Sequence, residues 1–234
     1  MKKLSIVVPC YNEAKNIPLI LERFNKFAVS NQTEVVLVNN GSIDDSQKVL
    51  DKLLPQYPFA QTTLVEKNQG YGFGILSGLR VAQGEYIGWT HADMQADPQD
   101  AVKALKIIEE NGRPKDIYVK GNRHGRPAFD NFFTVGMSFF ESFLLGAWLW
   151  DINAQPNIFH RSFFESWQNP PYDFSLDLYA YYTARQRKFN IIRFPVLFTP
   201  RLHGASSWNT SFKAKGKFIK RTMDYSLSLK RNLN

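Results

Sequence analysis

The chain has 234 residues, 44% of them hydrophobic, and a formal charge of +8. That length can bury one sizeable core, and no low-complexity stretch or internal repeat divides it, which argues against a disordered or repeat protein. The single cysteine, Cys10, excludes an intrachain disulfide framework; its place beside an apolar run marks it as a buried structural thiol rather than a nucleophile.

Taken in chain order, Met1-Lys2-Lys3 leads directly into an apolar strand, Leu4 to Val8, which Pro9 breaks too soon for a signal peptide, so a cytoplasmic setting is expected. A second strand is expected over Val35 to Val38, ending in Asn39-Asn40-Gly41-Ser42. The segment from Asn68 to Pro98 is the most informative. Gly70, Gly72 and Gly74 let a backbone pass close to a ligand where a Cβ would clash, and Ile75 to Ala82 has helical apolar spacing. Glu85 to Thr90 is a short β-prone run, after which Asp93 and Gln95 stand where a parallel strand delivers side chains to the carboxyl edge of a sheet. Pro98 is expected to open a helix reaching about Asn111, with Asp97 as its N-cap; Asp97 and Asp100 are assigned to capping and dipole roles rather than metal ligation. A strand follows at Ile117 to Lys120. Such alternation predicts an α/β fold, a mainly parallel sheet with helices on both faces and its ligand crevice at the carboxyl ends of the strands.

Phe132 to Trp150 approaches the length of a membrane span, but Glu141 sits inside it and Asp130 and Asp151 flank it. We expect instead a helix packed partly in the core, offering Phe and Trp side chains to a bilayer interface. From Arg201 onward, eight Lys or Arg face one acid, Asp224, with Phe212, Phe218, Ile219, Met223, Leu227 and Leu229 interleaved. Two readings of this end stand side by side: an amphipathic helix on an anionic membrane surface, or a basic tail packing one apolar face on the domain. The expected division is therefore a domain over 1–210 and a basic helix over 211–234. No nucleic-acid recognition motif accompanies the basic run.

Five fragments in order resemble the family-two glycosyltransferases: Pro9-Cys10-Tyr11-Asn12-Glu13, Asn39-Asn40-Gly41-Ser42, the Asn68 to Pro98 segment, Gly121-Asn122-Arg123, and Arg201-Leu202-His203-Gly204-Ala205-Ser206-Ser207. The last two resemble the dolichol-phosphate mannosyltransferase or polyprenyl-phosphate hexose synthase branch. The resemblance implies a GT-A, Rossmann-like fold and a nucleotide-diphosphate sugar held by Pro9, Tyr11, Glu13, Asn40, Asn68, Gly72, Ala92 and Asp93. It implies a divalent metal, Mn²⁺ or Mg²⁺, on Asp93, Gln95 and His91, and an acceptor site at Arg123, Arg126, Gln155, Arg201 and Ser206. Asp93, Asp177 and Arg201 are the implied catalytic residues.

Departures from the family pattern matter. His91 replaces the first acid of D-A-D and brings no negative charge, Gln155-Pro156-Asn157 replaces a Ser-Gly-Phe core, and Ser207 replaces a Lys. Asn40 stands for an acid that accepts an imino N–H of the base. A freely flipping amide there predicts relaxed base choice, with cytidine nucleotides within roughly tenfold of the best. A polyprenyl phosphate acceptor is already anionic and needs no base; a membrane-linked glycan hydroxyl would need one, and Asp177 is the candidate. The expected function is an inverting, metal-dependent glycosyltransferase acting peripherally at the cytoplasmic membrane face. The alternative is a nucleotide-sugar-binding or regulatory protein without turnover.

Overall fold

The computed structural model describes residues 2–29, 32–125, 128–203 and 212–231, and leaves the side chains of 128–134 and 212–219 undescribed. Its strands are β1 (Leu4–Cys10), β2 (Thr33–Asn40), β3 (Ala60–Val65), β4 (Tyr86–Trp89), β5 (Ile117–His124), β6 (Asn157–His160) and β7 (Asn190–Leu197). They form one 7-stranded sheet in the order β3-β2-β1-β4-β6-β5-β7. β6 runs antiparallel to both neighbours while the other pairings are parallel. The expected α/β architecture is present.

Eight helices complete the described chain: α1 (Ile17–Asn25), α2 (Ser46–Leu53), α3 (Tyr71–Val81), α4 (Asp100–Glu110), α5 (Ala128–Leu145), α6 (Arg161–Glu165), α7 (Ser175–Gln186) and α8 (Phe212–Arg231). The period-two pleat divides the core between the two faces of the sheet. On one face Leu4, Ile6 and Val8 pack with Ile20 and Phe24 of α1, Leu50 of α2 and Leu105 of α4; on the other, Val7, Val36 and Val38 pack with Ile75 and Leu79 of α3 and Leu176 of α7. Because both faces are covered, β1 and β2 read as nearly unbroken apolar runs rather than alternating ones. Cys10 is buried, as expected, and burial pushes its thiol well above the usual range.

Two boundaries need correction. β5 continues past Lys120 because its pairing with β7 runs on to His124 opposite Leu197. α4 starts at Asp100 rather than Pro98. Asp97 is therefore not its N-cap, a position Gln99 takes without a side-chain bond; Asp97 Oδ1 instead accepts from the Gln99 N–H at 2.9 Å within a separate turn over residues 97–100, in which Asp100 N–H donates to the Asp97 carbonyl. The same carboxylate also pairs with Arg23 of α1.

Among the described residues no helix is long and apolar enough to cross a membrane. α5 buries Glu141 and exposes Phe139 and Phe143. It packs against α8, whose Tyr225 and Leu229 rest on the second core cluster while Lys220, Lys230, Arg231 and Leu227 face outward.

Candidate active site

The carboxyl ends of β1, β2, β4, β5 and β7 and the amino end of antiparallel β6 meet along one edge of the sheet. The chain turns to opposite sides of β1 at β2 and β4, which is the switch point where such sheets open a ligand crevice. Asn12, at φ 58°, donates its N–H to Ser42 Oγ at 3.0 Å and accepts from Ile43 N–H through Oδ1 at 2.9 Å. Glu13 and Ala14 N–H groups donate to Ser46 Oγ and Asp44 Oδ2. The segments around Tyr11-Asn12-Glu13 and Asn39 to Ser42, far apart in sequence, therefore form one stitched floor. Burial opposes ionisation of Asp44, but bonds from Ser46 and Ala14 outweigh it and hold its pKa below the usual carboxylate value. Burial pushes Glu13 the other way, with the Asn16 amide offsetting part and nearby Asp93 adding to the rise. Tyr11 is exposed, and Pro9 lies half-buried at the end of β1.

The loop after β4 carries His91, Ala92, Asp93 and Gln95. Ala92 and Asp93 are buried. Asp93 Oδ1 accepts from Gln95 N–H at 3.1 Å, and its Oδ2 pairs with an Arg201 NH2 at 2.8 Å. Arg201 Nε also donates to Gln95 Oε1 at 3.1 Å. Burial lowers the pKa of His91, against the pull of Asp93 and Asp177, so the imidazole is neutral near pH 7. Imidazole nitrogen, carboxylate oxygen and amide oxygen form a donor set that suits a borderline cation such as Mn²⁺ better than Mg²⁺. Among the described residues no group of three His, Cys, Asp or Glu could hold a metal ion.

The glycines admit close approach by the chain itself. A Cβ on Gly70 would lie 2.3 Å from the Tyr172 carbonyl oxygen, and one on Gly72 would lie 2.6 Å from that of Pro171. The close neighbour at the start of α3 is thus the chain's own 171–173 segment, and Phe73 N–H donates to the Tyr172 carbonyl at 3.0 Å. Gly72 thus seats the α6–α7 connector. Gly74 leaves room for the Asn40 amide, which a Cβ would approach at 2.8 Å. Asn68, an exposed residue, turns its Oδ1 back to the Gly70 N–H at 2.8 Å.

That connector leads into α7 and places Asp177 deep beneath the crevice. Asp177 is 1% exposed, and its Oδ1 accepts from Trp89 Nε1 at 3.2 Å, Gln155 Nε2 at 2.9 Å and Asn157 Nδ2 at 3.1 Å. Burial raises its pKa, with Lys120, His91, Gln155 and Trp89 offsetting part of the rise. Behind it, the buried Lys120 ammonium donates to Asn157 Oδ1 and the Ala154 carbonyl, both at 2.7 Å, and burial pulls its pKa down to about 7. In front, Gln155 Nε2 donates to the Tyr71 hydroxyl at 3.2 Å, and Tyr71 stacks on Phe174 with ring centroids 4.6 Å apart. Sequence reasoning missed Tyr71, Trp89, Lys120 and Asn157. The available signal was a lysine inside the apolar run Ile117 to Lys120.

Arg123 reaches the same edge but is already engaged. Its N–H and Nε donate to Asp151 Oδ2 and Oδ1, each at 2.9 Å, and its guanidinium also lies over the Phe198 ring. Burial opposes ionisation of Asp151, yet Arg123 holds its carboxyl below the usual range. Gln155 belongs to the Asp177 network. Arg126 and Ser206 lie outside the described residues.

A mainly parallel, helix-covered sheet with an acidic loop after β4 at its switch point is the framework of GT-A glycosyltransferases. Residues 5–167 match the model of glycosyl transferase family 2, and the chain belongs to that family. It is 31% identical over 114 residues to the undecaprenyl-phosphate 4-deoxy-4-formamido-L-arabinose transferase of Pseudomonas syringae pv. syringae (strain B728a), covering 47% of this chain and 34% of the relative. The counterpart from Serratia proteamaculans (strain 568) is 32% identical over 114 residues, with coverages of 47% and 35%. The matched stretch spans about a third of these relatives' length. In structure, the chain resembles a Pyrobaculum calidifontis mannosyltransferase solved with GDP-Man and Mn²⁺ (TM-score 0.65, 20% identity, 87% of this chain and 58% of the other). It also resembles Mycobacterium tuberculosis glucosyl-3-phosphoglycerate synthase solved with Mn²⁺, UDP-Glc and phosphoglyceric acid (TM-score 0.74, 16% identity, 97% and 79%). These likenesses establish the GT-A fold.

Proposed function

We propose that the protein transfers a sugar from a nucleotide diphosphate to a polyprenyl phosphate, with inversion at the anomeric carbon, at the cytoplasmic face of a membrane. The observation carrying this reading is the condition of Asp177. A hydroxyl acceptor needs a carboxylate within reach to take its proton. Asp177 is buried, and Trp89, Gln155 and Asn157 all donate to one of its oxygens. A phosphate acceptor arrives ionised and needs no such group. The similarity to transferases named for undecaprenyl phosphate supports the same choice.

In this mechanism the acceptor phosphate oxygen forms a bond to the anomeric carbon as the bond to the diphosphate breaks on the opposite side, and the electron pair leaves with the diphosphate. Asp93, with Gln95 and His91, would hold a divalent cation, which when bound supplies positive charge to the departing diphosphate. Arg201, paired with Asp93, would supply the guanidinium that meets phosphate oxygens. The buried network of Lys120, Asn157, Asp177 and Gln155 keeps the crevice floor rigid and orients Tyr71 and Phe174. Exposed Phe139, Phe143 and Trp148, beside the basic outer side of α8, supply a surface suited to anionic lipid.

The test is transfer from a panel of nucleotide sugars to undecaprenyl phosphate in vesicles with Mn²⁺. Product should form on the phosphate lipid and not on undecaprenol. Asp93→Asn should lower turnover by about 10²-fold, roughly 3 kcal/mol of transition-state stabilisation. Equal transfer to the hydroxyl lipid would overturn the acceptor assignment.

A further inference from the structure

Arg201 takes two of the three side chains that would hold a cation. Its NH2 group is 2.8 Å from Asp93 Oδ2 and its Nε donates to Gln95 Oε1 at 3.1 Å. The other Asp93 oxygen is occupied by Gln95 N–H. This placement is built into the backbone: Thr199 N–H donates to the Gln95 carbonyl at 2.9 Å, and Gln95 Nε2 returns a bond to the Thr199 carbonyl at 3.0 Å. The segment following β7 is thereby pinned to the acidic loop with the guanidinium over Asp93.

We propose that Arg201 is a resident counter-cation: it occupies the metal position on Asp93 in the unliganded protein and is handed to phosphate oxygens when a divalent cation arrives with a nucleotide diphosphate. The proposal rests on the metal-dependent reading above. Asp93 is buried, and an unpaired buried carboxylate is costly, so the guanidinium beside it stabilises that carboxylate. A cation arriving alone must expel Arg201 from its only described carboxylate partner and then repel it at short range. A cation arriving with a diphosphate offers the expelled fork new oxygens in bidentate geometry. Cation and nucleotide should therefore bind with positive coupling, and Arg201 should be its source.

Mn²⁺ alone, titrated by the loss of its free-ion paramagnetic resonance signal, tests this without any turnover. Arg201→Ala should bind Mn²⁺ about tenfold or more tighter than the intact protein, with Arg201→Lys between them. With UDP or GDP present the order should reverse, because the variant lacks the fork that receives the phosphates. Asp93→Asn should abolish binding in both backgrounds. Equal or weaker Mn²⁺ binding by a folded Arg201→Ala, including no binding at all, overturns the proposal, as does retention of Mn²⁺ by Asp93→Asn. Failure of sugar transfer to lipid phosphate, with these affinities as expected, would sink the acceptor reading and leave the counter-cation role standing.

Discussion

Asn40 Nδ2 donates to the Gly70 carbonyl at 3.0 Å, which leaves Asn40 Oδ1 as a buried acceptor without a partner among the described residues. A carbonyl only accepts, so it fixes which end of the amide faces it. The free flip expected from sequence is lost, and with it the reason for relaxed base choice. With Oδ1 as the acceptor, uracil or guanine can donate an imino N–H, whereas cytosine would set one acceptor against another. CDP should then bind at least about tenfold more weakly than the better of UDP and GDP, a gap of about 1.4 kcal/mol. Calorimetric titration of the three with Mn²⁺ decides it, and CDP within twofold or so of the best would end the argument.

The pair formed by Arg123 and Asp151 should govern stability more than acceptor binding. Both side chains are nearly buried, and Arg193 lies 3.8 Å from the second Asp151 oxygen. Removing one partner leaves an uncompensated buried charge, at a cost of about 3–5 kcal/mol. Asp151→Asn should lower the free energy of unfolding by that amount without a matching change in acceptor KM. A raised acceptor KM with unchanged stability on Arg123→Gln would restore the phosphate-binding role implied by the sequence.

Much of this site is legible in the chain because its loops follow apolar strands directly. Leu4 to Pro9 and Val35 to Val38 announce buried parallel strands, and the residues after them, Tyr11 to Glu13 and Asn39 to Ser42, must then lie at the same edge. The partners within that edge are not legible. Gly72 meets Pro171, Arg201 meets Asp93, and Arg123 meets Asp151; each contact joins residues far apart in sequence whose side chains would serve equally well on a ligand. A glycine that admits a phosphate and a glycine that admits a carbonyl look alike until the chain is folded. α8 was open to two readings for a related reason, since an apolar stripe does not say whether it meets lipid or protein. Tyr225 and Leu229 meet protein, Arg221 pairs with Asp173, and Lys220, Lys230 and Arg231 remain outward.

Membrane contact should therefore depend on α5 and the turn after it as well as on α8. Phe143 is 91% exposed, and Trp148 packs edge-on against Phe139. Phe143→Ala with Trp148→Ala should weaken co-sedimentation with anionic vesicles while leaving the thermal midpoint nearly unchanged, because neither ring is buried. Raising salt should weaken binding of the intact protein further by screening the α8 charges. Binding unaffected by both changes would remove this face from consideration.

Glu141 gives the fold a pH dependence of defined sign. It is buried on α5, neither carboxylate oxygen lies within full bonding distance of a donor among the described residues, and burial pushes its pKa up to about 7, with the nearby Ser226 hydroxyl of α8 offsetting part of the rise. In the unfolded chain the same group ionises near the ordinary glutamate value, about 4.3. Below that value both states are protonated and the group makes no demand. Between it and about 7 the unfolded chain releases a proton that the folded chain retains, so stability falls as pH rises through this window and stays reduced above it. Glu141→Gln, neutral at every pH, should match the parent protein near pH 4 and exceed it at pH 8 by about 3–4 kcal/mol, roughly 10 °C in Tm. Thermal melts of both proteins across this range are the measurement. A difference between them that does not change with pH would show that Glu141 titrates alike in the folded and unfolded chain, and the buried neutral carboxyl between α5 and α8 would have to be abandoned.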